Sequence, residues 1–269
     1  MQSHYFHFKQ STIHYRYSGE GPELVICFHG FGTYAATFDW LAGHVPGHRF
    51  IAFDLPLHGE TKWNDENTLS PEDLIDMIHY CPHAQADRFA LMGYSMGGRI
   101  SLHLLQLIPH RITRLILLAP DGLHFNPYYW LATQTSGGNK LFRRFMHKPQ
   151  GFMRIVRRME SWGMVSKSIR KFVDLYLEDK HVRELVYEAW TLFRQFKPNL
   201  TILIREINKR QIPTILLYGQ YDTIIPLKPG MAFFQRVQAP KKMEILPIGH
   251  QVLHLKNAPA IAEAFNLSA

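Results

Sequence analysis

The stretch Gly93-Tyr94-Ser95-Met96-Gly97 is the first whose residue types and spacing point to chemistry. It follows the apolar run Phe89-Ala90-Leu91-Met92 and leads into Ile100, Leu104 and Leu107 at helical spacing, so Ser95 falls on a strand-turn-helix corner. Small residues on both sides let the chain turn there without a Cβ clash and lift the hydroxyl clear of the strand. The helix that follows points its unpaired N–H groups and the positive end of its dipole at the same spot. A serine hydroxyl is nearly inert at neutral pH and needs a base in hydrogen-bond reach, itself oriented by an acid. After this kind of corner the acid and then the base follow in chain order. Asp222, in Tyr218-Gly219-Gln220-Tyr221-Asp222, and His250, in Gly249-His250, each lie just past a strand-like run. Asp121 is the rival acid, also past a strand end, and is expected to shape the turn or a pocket wall. Upstream, His29-Gly30-Phe31-Gly32 closes another apolar run. Its glycines let the backbone approach a ligand closely, so the Phe31 N–H is expected to pair with that of Met96 around a developing oxyanion. His29, Gly30, Tyr94 and Asp121 are candidate pocket residues.

These groups need a frame. Strand-like runs occur at 4–8, 13–17, 24–28, 50–53, 89–92, 115–118, 214–218 and 243–246. Between several of them lie helical patterns. One starts at Ser70-Pro71-Glu72-Asp73, with a capping hydroxyl, proline in the first turn and early acids, and others run from Gly97 to Ile108 and Pro259 to Phe265. Strands alternating with helices predict an α/β fold, a mostly parallel central sheet with helices on both faces. From about residue 123 to 198 the strand signal stops. Apolar residues recur there at helical spacing, at Phe152, Ile155, Val156 and Met159 and again at Val182, Leu185, Val186, Ala189 and Phe193, with Pro149, Gly151 and Gly163 as breaks. The expected organisation is a core of 1–122 and 199–269 with a helical insertion at 123–198.

The chain has 269 residues, 46% of them hydrophobic, which is ample for a packed core and excludes a disordered or disulfide-scaffolded protein. Its two cysteines, Cys27 and Cys81, and the lack of a basic-then-apolar leader fit a reduced, cytoplasmic setting. No run approaches the length of a membrane span. The formal charge of +8 is confined to 123–198, where 14 Lys and Arg face 6 Asp and Glu; the rest carries 16 of each sign. No nucleic-acid recognition motif accompanies this basic stretch, and no nucleic-acid partner is expected. Sixteen histidines include pairs four apart, His44 with His48, His79 with His83 and His250 with His254. Pro46 and Pro82 interrupt the first two, no His-Glu-x-x-His occurs, and no metal site is expected.

Taken together in order, His29-Gly30-Phe31-Gly32, Asp54-Leu55-Pro56-Leu57-His58-Gly59, Gly93 to Gly97, Gly219-x-x-Asp222-x-x-x-Pro226 and Gly249-His250 resemble the α/β-hydrolase superfamily. The resemblance implies Ser95 as nucleophile, His250 as base, Asp222 as orienting acid and the Phe31 and Met96 amides as oxyanion hole, with no cofactor. It also implies that 123–198 is a lid over the active site. One departure is Leu57, where many members have glycine. Serine at 95 disfavours the dehalogenases and epoxide hydrolases of this fold, which carry aspartate there. The implied activity is hydrolysis of a carboxylic ester or thioester of a small-molecule acyl substrate. A carbon–carbon bond hydrolase or lyase using the same residues, and a non-catalytic binding protein with an idle triad, are the alternatives. The cations between Lys140 and Lys171, interleaved with Phe142, Phe145, Phe152 and Met153, fit a solvated outer face, an anionic or carrier-bound substrate, or peripheral contact with an anionic membrane.

Overall fold

The computed structural model describes residues 1–64, 69–124, 126–162, 176 and 179–267, with the side chains of 152, 155, 157, 159 and 160 left aside. Gly163 and the cations Lys167, Arg170 and Lys171 lie outside the described residues.

Each apolar run becomes a strand: β1 Gln2–Phe8, β2 Ser11–Ser18, β3 Glu23–Phe28, β4 His48–Phe53, β5 Phe89–Tyr94, β6 Ile112–Leu118, β7 Thr214–Gly219 and β8 Lys241–Leu246. They form one sheet in the order β1-β2-β4-β3-β5-β6-β7-β8. β1 and β2 pair antiparallel, as do β2 and β4, and every pairing from β4 to β8 is parallel. The central strands are apolar on both faces because both faces are covered: all six residues of β5 and of β7 are buried.

Right-handed crossovers dictate which face each helix covers. The chain steps one way from β3 to β4 and the other way along β5, β6, β7 and β8. Helices α1 Pro71–Tyr80, α2 Met96–Leu107, α7 Leu200–Arg210 and α8 Leu227–Arg236 therefore share one face. The short turn Leu41–His44 packs against α9 Ala258–Glu263 on the other. Helix α1 begins where the sequence signals it, with Ser70 Oγ accepting from the Asp73 N–H and the Asp73 carboxylate accepting from the Ser70 N–H.

The chain divides into two compact units, Met1–His124 with Phe196–Ala269, and Phe125–Gln195. The second is helical: α3 Pro127–Gln134, α4 Ser136–His147, α5 Pro149–Ser161 and α6 Lys180–Leu192. Side chains of Asn126, Thr135 and Asp179 cap three of these helices. Within this unit the Phe142 ring stacks 5.3 Å from that of Trp190, which also meets Tyr129 edge-on at 5.0 Å. No helix among the described residues is long and apolar enough to cross a membrane. Cys27 and Cys81 are buried free thiols, and burial pushes the Cys81 thiol up to about 11.

Candidate active site

Ser95, Asp222 and His250 follow the carboxyl ends of β5, β7 and β8, the sheet edge where parallel α/β folds bind ligands. β3 and β5 are neighbours from which successive connections depart in opposite directions, so the loops after them diverge and leave a crevice. Ser95 sits between β5 and α2 with φ 52° and ψ −115°, a left-handed backbone that costs a residue with a Cβ. The left-handed turn therefore falls on the serine, while its flanking glycines make room. A Cβ on Gly97 would lie 2.0 Å from the Phe28 carbonyl oxygen, and one on Gly93 2.4 Å from that of Gly97. Helix α2 thus lies tight against β3 and β5 only because both positions lack a side chain. Main-chain hydrogen bonds hold the corner: the Ser95 N–H donates to Leu118 at 3.0 Å, and the Ser95 carbonyl accepts from Asp121 at 2.9 Å.

The three side chains meet in one hydrogen-bonded series. His250 Nε2 is 3.0 Å from Ser95 Oγ, and His250 Nδ1 is 2.7 Å from Asp222 Oδ2. An ionised carboxylate only accepts, so Nδ1 carries the proton, and Nε2 is left to accept from the serine hydroxyl. Burial pushes the Asp222 carboxyl up; bonds from His250 and from the Ile224 and Ile225 amides, at 2.7 and 2.9 Å, outweigh it and hold the group below the ordinary carboxylate range. The loops that carry Asp222 and His250 are laced together, Gln220 N–H to the Leu246 carbonyl at 2.7 Å and Tyr221 N–H to that of Ile248 at 2.9 Å.

The 29–32 loop runs directly beside the serine, for a Cβ on Gly30 would stand 3.2 Å from Ser95 Cβ. Met96 opens α2, so its N–H has no intrahelical carbonyl to reach. Phe31 follows Gly30, with its ring 5.8 Å from that of His58. His29 is fully buried: its Nδ1–H donates to the Gly30 carbonyl at 2.7 Å and Nε2 accepts from the Leu55 N–H at 3.0 Å. It is a strut between two loops. Burial, with the neighbouring His58, lowers its pKa to about 3 and keeps it neutral. Tyr94 is also buried, and its hydroxyl donates to the His250 carbonyl at 3.1 Å. Asp121 does not bond the histidine; its Oδ1 accepts from the Gly122 N–H at 2.7 Å and Oδ2 stands 3.5 Å from Arg99 Nε. Leu57, at the departure from the usual glycine, takes φ 69°.

The same three residue types meet a second time. Ser3 Oγ lies 2.5 Å from His14 Nε2, and His14 Nδ1 lies 2.7 Å from Asp54 Oδ2. Sequence reading gave no sign of it, because Asp54 is 40 positions from His14. Its surroundings differ from those of Ser95. Ser3 belongs to the extended edge strand β1, whereas Ser95 stands at the start of a helix. The Asp54 carboxylate is filled by the Ala35 and Glu60 amides at 2.6 and 2.7 Å, so it ties down the loops after β3 and β4. This series is structural.

Comparison with known proteins agrees with the fold. The family model described as "alpha/beta hydrolase fold" matches residues 23–256. Among curated relatives, the uncharacterized hydrolase YugF of Bacillus subtilis is 22% identical, over 80% of this chain and 78% of its own length. A pimeloyl-[acyl-carrier protein] methyl ester esterase of Nitrosomonas europaea is also 22% identical, over 88% and 90%. The chain spans about half, 54%, of an acetoin-cleaving-system acetyltransferase component of Pseudomonas putida, to which it is 30% identical over 77% of its own residues. A thermophilic esterase from Thermogutta terrifontis superposes with a TM-score of 0.67 at 18% identity, over 99% of this chain and 98% of that one. The chain belongs to the α/β-hydrolase fold family.

Proposed function

We propose that this protein is a serine hydrolase that cleaves a carboxylic ester or thioester of a small-molecule acyl substrate through an acyl-serine intermediate. The observation that carries this reading is the unbroken series from Ser95 Oγ to His250 at 3.0 Å and from His250 to Asp222 at 2.7 Å. Membership of a hydrolase family and the esterase names among the relatives support it. Ser95 Oγ attacks the acyl carbonyl while its proton passes to His250 Nε2. Asp222 holds the imidazole in the required tautomer and stabilises the imidazolium that forms. The negative charge developing on the carbonyl oxygen faces the N–H groups of Met96 and Phe31. As the intermediate collapses, His250 returns the proton to the departing alcohol or thiol. Water, deprotonated by the same nitrogen, then releases the acid and restores the serine. None of these steps calls on a metal or organic cofactor.

The test is hydrolysis of short p-nitrophenyl esters by the purified protein and by Ser95→Ala. The variant is expected to lose at least about 10³-fold in turnover. Turnover equal to that of the wild type overturns the assignment.

A further inference from the structure

Cations and large apolar side chains share the exposed surface of the helical unit Phe125–Gln195. On α4, Lys140, Leu141 and Arg144 stand on one face, with Arg143 beside them and Lys148 just past the helix end; all are exposed, while Phe142 and Met146 turn inward. Arg154 and Arg158 of α5 are exposed as well. None of Lys140, Arg143, Arg144 and Lys148 takes part in an ion pair with a described residue. The same unit exposes Tyr128, Trp130 and Leu131 of α3, at 63%, 46% and 53%, Leu141 at 49% and Trp162 at 61%. The Arg158 guanidinium lies over the Trp162 ring, 5.4 Å from its centre. Residues outside 123–198 carry equal numbers of acids and bases, so the whole positive excess belongs to that stretch.

We infer that this surface adsorbs to an anionic lipid bilayer. An acidic protein would satisfy the cations, but the two tryptophans, the tyrosine and the two leucines exposed beside them on the same helical unit are the side chains that favour a membrane interface. A membrane interface takes both, since indole and phenol rings settle at the headgroup level, leucine reaches the acyl boundary, and arginine and lysine meet lipid phosphates. This is surface binding and requires no spanning helix. It does not rest on the proposed chemistry at Ser95, and its readout is independent of activity.

The experiment is co-sedimentation of the intact protein with vesicles of phosphatidylcholine alone and of phosphatidylcholine with about 30% phosphatidylglycerol. Binding is expected to the mixed vesicles only, weakening as salt rises towards about 0.5 M. Arg143→Gln with Arg144→Gln should lower the partition coefficient about 25-fold, near fivefold per charge removed. Trp130→Ala with Leu131→Ala should lower it at least about tenfold without changing retention on a cation exchanger. Circular dichroism confirms that each variant is folded, and all sites lie outside the catalytic series. Equal binding to both vesicle types, no binding to either, or vesicle binding unchanged in both variants overturns the inference. So does association with an acidic carrier protein in the absence of any vesicle binding.

Discussion

The Tyr94 hydroxyl donates to the main-chain carbonyl of His250 at 3.1 Å, and its ring lies 5.3 Å from the imidazole at an interplanar angle of 31°. The residue just before the serine thus steadies the histidine that would activate it. Tyr94→Phe keeps the ring and removes the bond, so kcat/KM for a p-nitrophenyl ester should fall about three- to tenfold, with KM nearly constant. A change confined to KM would show that the hydroxyl touches substrate instead of positioning the base.

Asp222 and Asp121 both follow strand ends, yet only Asp222 bonds the histidine. Asp222→Asn should lower kcat by about 10⁴-fold through the wrong imidazole tautomer. Asp121→Asn keeps the main-chain bond to Ser95 and should stay within about tenfold of wild type, since among the described residues its carboxylate bonds Gly122 and pairs with Arg99, not with His250. Parallel single-turnover measurements on the two variants decide the acid.

Ser95 holds a left-handed backbone that glycine adopts freely. Ser95→Gly and Ser95→Ala should both be inactive, but the glycine variant should be the more stable by about 1 kcal/mol. Urea denaturation of the pair measures this. Equal midpoints would mean that the corner carries no strain.

His29 and His58 are among the buried imidazoles that cost the fold stability in acid. Burial lowers the pKa of both His29, to about 3, and His58. In the unfolded chain each takes up a proton near pH 6.5, as free histidine does. Below about 6.5 the unfolded state therefore binds more protons than the native one, and stability falls as pH drops toward the folded values. His29 alone contributes a slope of up to about 1.4 kcal/mol per pH unit in that window. Thermal melts between pH 7 and 4 should show the loss in wild type and a shallower slope in His29→Asn.

The two Ser-His-Asp series make opposite forecasts. A sulfonyl fluoride should add one label per chain, at Ser95, and none to Ser95→Ala, because Ser3 lies within an extended strand whereas Ser95 stands at the start of a helix. Asp54→Ala should instead cost about 3 kcal/mol or more, by freeing the Ala35 and Glu60 amides and the buried His14. Intact-mass spectrometry and chemical denaturation test the two halves.

Much of this was legible from local patterns. Runs such as Leu24 to Phe28 and Thr214 to Tyr218 could only be buried strands, and Ser70-Pro71-Glu72-Asp73 carries its own helix start. Ser95 was readable because a strand, a turn and a helix occur within one short stretch. The work of His29, Tyr94 and His14 was not readable. Each acts through a partner that only the tertiary fold brings near: Leu55 is 26 positions from His29, and His250 is 156 from Tyr94. Leu57 stands where many relatives of this pattern have glycine and still adopts the positive φ, inside a loop whose ends the Glu60 N–H to Asp54 carboxylate bond ties together.

All three members of the hydrogen-bonded series lie in the unit formed by Met1–His124 and Phe196–Ala269. Nothing in that series is spelled by codons 125–195. Mutation, duplication or exchange of that interior block can therefore rework one compact unit while the hydrogen-bonded series of the other is inherited unaltered.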